Sequence, residues 1–307
     1  MFEALTEALH YTFMQHALLA GILVSIACGI IGTYVIINRI VFISGGIAHA
    51  AYGGIGLGYF VKYNLLPLLA AGSTLAQEQR PGYFPTAGAI LFSLLAALGM
   101  GLVQRKTRER ADTIIGALWA VGMAIGIIFV DLTAGYKADL MSYLFGSILA
   151  VPRTDLLVMA VLDLLIIALV ALFYKELLAI SFDETFATVE NVPVDAIYLM
   201  LVSMIALSVV MLMRVVGLIM VIAMLTLPAA IAGQFVKEMK KMMVLASLLG
   251  MGFTTIGLWL SYIWNLTSGA TIILVAGSAY LLSLLLKPLL HRPAPAPESE
   301  PFTIVRA

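Results

Sequence analysis

An all-α bundle of eight or nine membrane-spanning helices is the fold class this sequence predicts, and three observations predict it. Apolar residues fill 62% of the 307 positions and charged residues only 11%, where a water-soluble domain carries roughly 25% charged residues. Apolar runs of about twenty residues, the length a helix needs to cross a bilayer, follow one another along the chain. Nearly all the charge sits in the short loops between those runs. A compact globule of this size could not cover its surface with so few polar groups, so the solvent for most of the chain is lipid.

Taken in order, the runs lie at 14–37, 42–61, 86–104, 113–130, 155–174, 196–213, 215–235, 242–263 and 271–288. The sixth and seventh are parted only by Arg214 and its flanks, which allows either two spans or one broken helix. The stretch 138–150, DLMSYLFGSILAV, is too short and too polar to span, and fits an interfacial or re-entrant segment. The second run, GGIAHAAYGGIGLGYF, is dense in glycine and alanine. Small side chains let membrane helices approach closely, so this helix belongs at the centre of the bundle. Residues 1–290 read as one membrane domain, and the Pro-rich 291–307 as a disordered cytoplasmic tail. The N-terminus carries Glu3 and Glu7 and no Lys or Arg before the first run, which argues against a cleaved signal peptide.

Sidedness follows from the basic residues, because cytoplasmic loops collect Lys and Arg. Alternate loops divide the 17 basic residues into two sets. One set holds Arg39, Arg105, Lys106, Arg108, Arg110, Lys175, Lys237, Lys240, Lys241, Lys287, Arg292 and Arg306. The other holds only Lys62, Arg80, Lys137, Arg153 and Arg214. The first set faces the cytoplasm, which puts the N-terminus outside and the C-terminus inside. Basic and acidic residues balance at 17 each, so bulk charge points to no nucleic-acid partner. Cys28 is alone and cannot form an intrachain disulfide; a small core residue is its reading.

Two charged or imidazole side chains fall well inside the runs, away from their ends: His49 and Asp163. Such groups are rare in lipid and face a bundle interior or a watery path. His49 could ligate a transition metal through a neutral imidazole, or simply bond a backbone carbonyl. Asp163, in VLDLLIIAL, is the weaker candidate for a transport path. Asp131 and Asp139 flank an outer loop, and Asp112 stands where the fourth helix needs an N-cap. The loop 181–195, SFDETFATVENVPVD, reads as a short helix plus bend able to dock a cytoplasmic partner. No Gly-Lys dipeptide occurs, so the chain has no Walker-type phosphate loop; HExxH and GxSxG are missing too.

Four segments, in order, resemble the membrane subunits of metal-ion ATP-binding-cassette importers, the zinc, manganese and iron permeases. RIVFISGGIAHAAYGG (39–54) is similar to that family's second-helix motif, histidine included. DTIIGALWAVGMAIGIIF (112–129) looks like its fourth helix, and DETFATVENVPV (183–194) like its cytoplasmic coupling loop. VVGLIMVIAMLTLPAAIA (215–232) is similar to its late glycine- and proline-containing helix. The resemblance implies a homodimeric permease in the inner membrane, a separate ATPase subunit and an extracytoplasmic metal-binding protein. The cargo implied is a divalent metal, zinc first and manganese or iron next, with no cofactor held stably. His49 would line the path, and Asp183, Glu184, Phe186, Ala187, Val192 and Pro193 would couple the ATPase to the helices. One position departs from the pattern: many members carry aspartate where this chain has Gly45. The competing reading is a secondary transporter driven by an ion gradient, with Asp163 as its coupling site.

Overall fold

The computed structural model describes residues 10–66, 83–106, 111–133, 146 and 148–290, and these are helical with short connections and no strand. The α-helices are α1 (Thr12–Ile37), α2 (Val41–Phe60, prolonged by a π-helical turn, Val61–Leu65), α3 (Phe84–Lys106) and α4 (Ala111–Asp131). Next come α5 (Arg153–Leu172), α6 (Tyr174–Phe182), α7 (Glu184–Val189) and α8 (Val194–Val216). The chain closes with α9 (Leu218–Phe235), α10 (Met239–Trp264) and α11 (Ser268–Leu290). Among the described residues nine helices, α1–α5 and α8–α11, are long and apolar enough to cross a membrane. Each matches one predicted run to within a few residues. In hydrocarbon every backbone amide must be satisfied within its own segment, so a long apolar run has few options other than helix.

Helix ends obey local chemistry. Pro152 and Pro193 occupy the N-cap positions of α5 and α8, where a missing N–H forfeits no intrahelical bond. Asn265 closes α10 in the left-handed conformation, which its short polar side chain tolerates. Asp112 lies within the first turn of α4 rather than ahead of it as a cap. There its carboxylate still faces the positive end of the helix dipole.

The sixth and seventh spans are two helices, and the break falls at Gly217 rather than at Arg214. Gly217 adopts φ 78° and ψ 165°, a conformation that side chains resist, so the helix stops there and restarts at Leu218. Gly146, at φ 68°, presses against this corner, and a Cβ on it would overlap the Val216 backbone. Most of the expected re-entrant stretch lies outside the described residues. Within it, Ile148–Ala150 forms a single 3-10 turn with Ile148 buried. Asp139 and the tail 291–307 are also outside the described residues.

The helices pack in two groups bridged by α8. In one, α2 lies against α3 and α4; in the other, α1 lies against α10, α9 and α5. The bridging helix α8 touches α3, α2, α1 and α6 and is among the most buried. Glycines decide both groups. On α1, Gly29 meets Ser247 of α10 and Gly32 meets the Leu225 carbonyl of α9, each too closely for a side chain. Cys28, beside Gly29, is buried and free, as its place in the run predicted. Buried hydroxyls look after themselves: Ser25, Thr33 and Thr254 each donate to the carbonyl four residues earlier, at 2.6–2.9 Å.

Candidate functional site

His49 sits on α2 one turn after Gly45. Its Nδ1 lies 2.9 Å from the Gly45 carbonyl oxygen. A carbonyl only accepts, so Nδ1 carries the proton and donates, which leaves the Nε2 of a neutral ring with a lone pair not used in that bond. A backbone carbonyl on the far nitrogen is how metal-binding histidines commonly have their tautomer set. The imidazole also stacks on Trp119 of α4, centroids 4.9 Å apart and planes 12° from parallel. The indole fits because positions 45 and 46 have no side chains. A Cβ at Gly45 would lie 2.5 Å from Trp119 Cζ2, and one at Gly46 would lie 3.3 Å from its Nε1. Gly45, the departure noted in the sequence, therefore has a steric reason.

Below His49 the same helix is clasped on both sides. Gly54 faces Gly88 of α3, while Gly53 and Gly56 face Gly122 and Gly126 of α4. In each pair a Cβ on one glycine would fall within 3.0 Å of the opposing backbone. This contact holds α2 between its neighbours by van der Waals packing, the main attraction open to helices in lipid.

Asp163 stands elsewhere. The buried stripe of α5 is Met159, Asp163, Ile166 and Val170, and α5 packs on α1 and α8. The carboxyl is 4% exposed, and neither of its oxygens has a hydrogen-bond partner among the described residues. The structure thus puts the two sequence-predicted intramembrane groups on different helix groups. Among the described residues no three His, Cys, Asp or Glu side chains come together. Asp131 is solvent-exposed at the end of α4.

The loop 181–195 builds a small, well-made unit. Asp183 caps α7 by accepting from the backbone N–H groups of Thr185 and Phe186 at 2.9 and 3.0 Å. Ala187 is fully buried, and the Val192 amide donates to its carbonyl at 3.0 Å, folding the chain back. Asn191 takes the left-handed turn at φ 59°, and Pro193 then opens α8. The outer side of α7 presents Phe186 and Val189, both well exposed.

Arg105, at the end of α3, ties this unit to the bundle. Its guanidinium pairs with Asp195 through Nε and with Glu184 at 3.4 Å, and lies over the Tyr198 ring at 4.9 Å. Tyr198 donates to Gln104 Oε1 at 2.7 Å, and Asn38 donates to Ser181 Oγ at 3.0 Å. Asn38, Gln104, Arg105, Glu184, Asp195 and Tyr198 line a cavity of about 540 Å³ at the end of the bundle that bears α7. Sequence reading missed Trp119 and Arg105. A lone indole among Gly116, Ala117 and Ala120 was a signal available in the sequence. Arg105 was one basic loop residue among several, and only the fold gives it acidic neighbours.

Residues 10–287 match the model of the ABC 3 transport family. The chain is 58% identical over 284 residues to an uncharacterized membrane protein of Synechocystis, covering 92% of this chain and 94% of that protein. It is 35% identical to the manganese transport system membrane protein MntC of Listeria monocytogenes, covering 91% and 92% of the two chains. Among solved structures, PsaBC from Streptococcus pneumoniae in complex with Fab superposes with a TM-score of 0.77 at 31% identity, over 92% of this chain and 95% of that one. With nine apolar helices among its described residues, this multi-pass membrane chain belongs to the ABC 3 transport family, the permease subunits of metal-ion importers.

Proposed function

We propose that this chain forms the membrane path of an importer for a divalent first-row metal, driven by ATP hydrolysis on a separate subunit. His49 carries the reading: a nitrogen lone pair offered from the most tightly packed helix of the bundle. The manganese transport names of relatives at 31–35% identity bring manganese to the front, ahead of the zinc that the sequence resemblance placed first. Zinc and iron stay in the test set, because imidazole serves both. In this reading an extracytoplasmic binding protein delivers the ion, and closure of the ATPase switches access from outside to inside. The chain works as a homodimer with its basic loops and C-terminus in the cytoplasm. Asp163, on a separate helix and without a hydrogen-bond partner among the described residues, is the weaker candidate for the path.

Coupling runs through α7 in this proposal. Phe186 and Val189 dock on the ATPase, Asp183 keeps the helix wound, and Val192 and Pro193 hand the motion to α8. Arg105 adds a second connection, from Glu184 and Asp195 to α3, and α3 is clasped to the His49 helix. Arg105→Ala is expected to lower transport per ATP hydrolysed several-fold while the ATPase still binds. The guanidinium makes charge-assisted contacts, each worth about 1.5–3 kcal/mol when shielded. It is only 18% exposed, although Asp195 is open to water at 82%, which moderates that pair. Uptake and phosphate release measured side by side would check this; an unchanged ratio would remove Arg105 from the coupling route.

The deciding experiment assembles the permease with its ATPase and binding protein in proteoliposomes and measures ATP hydrolysis with manganese, zinc, iron or cobalt. Stimulation by one ion, matched by its uptake, is the expected result. Metal uptake by the permease alone along an ion gradient would favour the secondary-transporter reading and Asp163.

A further inference from the structure

Position 45 lies one turn before His49, so any side chain there would share the imidazole's face of α2. A carboxylate at that spacing would make an oxygen–nitrogen pair able to hold a hard cation. This chain has no side chain there, and the space is filled from another helix. The indole of Trp119 lies across Gly45 and Gly46 and against the imidazole of His49. Its Nε1 is buried and finds no acceptor among the described residues. The same ring therefore does two things. It holds the imidazole flat, with Nδ1 on the Gly45 carbonyl and Nε2 free, and it excludes a second ligand from the neighbouring turn.

We propose that Trp119 is a specificity-determining residue, one that positions His49 and keeps a carboxylate off the neighbouring turn of its helix. This rests on the reading of His49 as part of the metal path. Divalent ions differ in how they rank such a site. A lone imidazole favours zinc, cobalt and iron over manganese, whereas carboxylate and water oxygens suit manganese. The path at His49 is thus biased against the hard ion and leaves any preference for manganese to be made elsewhere, before delivery. An ion on one protein nitrogen keeps water in its remaining positions. Weak, partly hydrated binding also suits a path that must release its cargo.

The test uses the assembled importer and competes radioactive manganese against zinc, normalised to the complex recovered as a monodisperse peak. Gly45→Asp alone should cut uptake of both ions about tenfold or more, since the new side chain meets the indole. Trp119→Ala with Gly45→Asp should recover uptake and raise the manganese-to-zinc ratio about tenfold, the scale of one charge-assisted oxygen ligand. Trp119→Phe, which keeps an aromatic face without the N–H, should retain uptake and the parental ratio. If the double variant folds poorly, Gly45→Ala with and without Trp119→Ala supplies the same steric rescue. A parental ratio in a transporting Gly45→Asp/Trp119→Ala protein would overturn the proposal, as would unhindered uptake by Gly45→Asp alone. Failure of the underlying reading shows differently: His49→Ala would then leave both the uptake and the ratio untouched.

Discussion

His49→Ala is expected to reduce metal uptake by the assembled importer by about 10–100-fold, with normal amounts of complex in the membrane. Losing only a hydrogen-bond partner behind a metal ligand costs about that much in affinity, and this change removes the ligand itself. The fold should survive. The hydrogen bond seen for the imidazole runs to its own helix, at the Gly45 carbonyl, and alanine is a good helix former. The lost stack on Trp119 is worth about 0.5–1.5 kcal/mol, too little to unfold a bundle held by so many helix contacts. Uptake of radioactive metal into proteoliposomes, compared with ATP hydrolysis in the same vesicles, separates a blocked path from a broken motor. Full uptake by the alanine variant would take His49 out of the mechanism.

Substitution at the Gly54–Gly88 contact should be at least as damaging, by another route. A Cβ on Gly54 would come well inside 3.0 Å of the Gly88 carbonyl, and a Cβ on Gly88 would do the same to Gly54. Both neighbours are backbone and cannot turn aside, so α2 and α3 must separate. Overpacking of this kind costs about 1–3 kcal/mol for one methyl group. Gly54→Ala and Gly88→Ala are each expected to lower thermal stability in detergent, and Gly54→Leu to yield no monodisperse protein. The double alanine variant should lose less than the two singles combined, because helices already parted for one methyl accommodate the second. Gly99, Gly252 and Gly277 are the controls. No atom stands within 4 Å of where their Cβ would be, so alanine there should be neutral or stabilising. Equal melting temperatures for Gly54→Ala and Gly99→Ala would mean that the close packing of α2 on α3 is wrong.

Much of this architecture could be read from one dimension. The nine spans among the described residues were legible because lipid removes the usual competition between helix, strand and loop. A run such as 155–174 can be satisfied in hydrocarbon only by its own backbone bonds. The central place of the second helix was legible from its glycines, since small residues mark close contact. The unit at 181–195 was visible as a short helix and bend in SFDETFATVENVPVD, with Asp183 and Pro193 as its punctuation. The Arg214 boundary was misplaced by three positions because charge suggested a loop, whereas backbone conformation put the corner at Gly217.

The partnerships were not legible. His49 and Trp119 are seventy positions apart and belong to different spans, and nothing local says that one ring lies on the other. Gly45 looked like a lost ligand until the indole was found filling its place. Arg105 became a connector only when α3, α7 and α8 met at one end of the bundle. The sequence by itself determined the solvent, the placement of the apolar runs and which helix is central, because these depend on composition and periodicity within single segments. Tertiary structure alone decided which side chains share a space, because ring stacking, steric exclusion and ion pairing act across helices over a few ångströms.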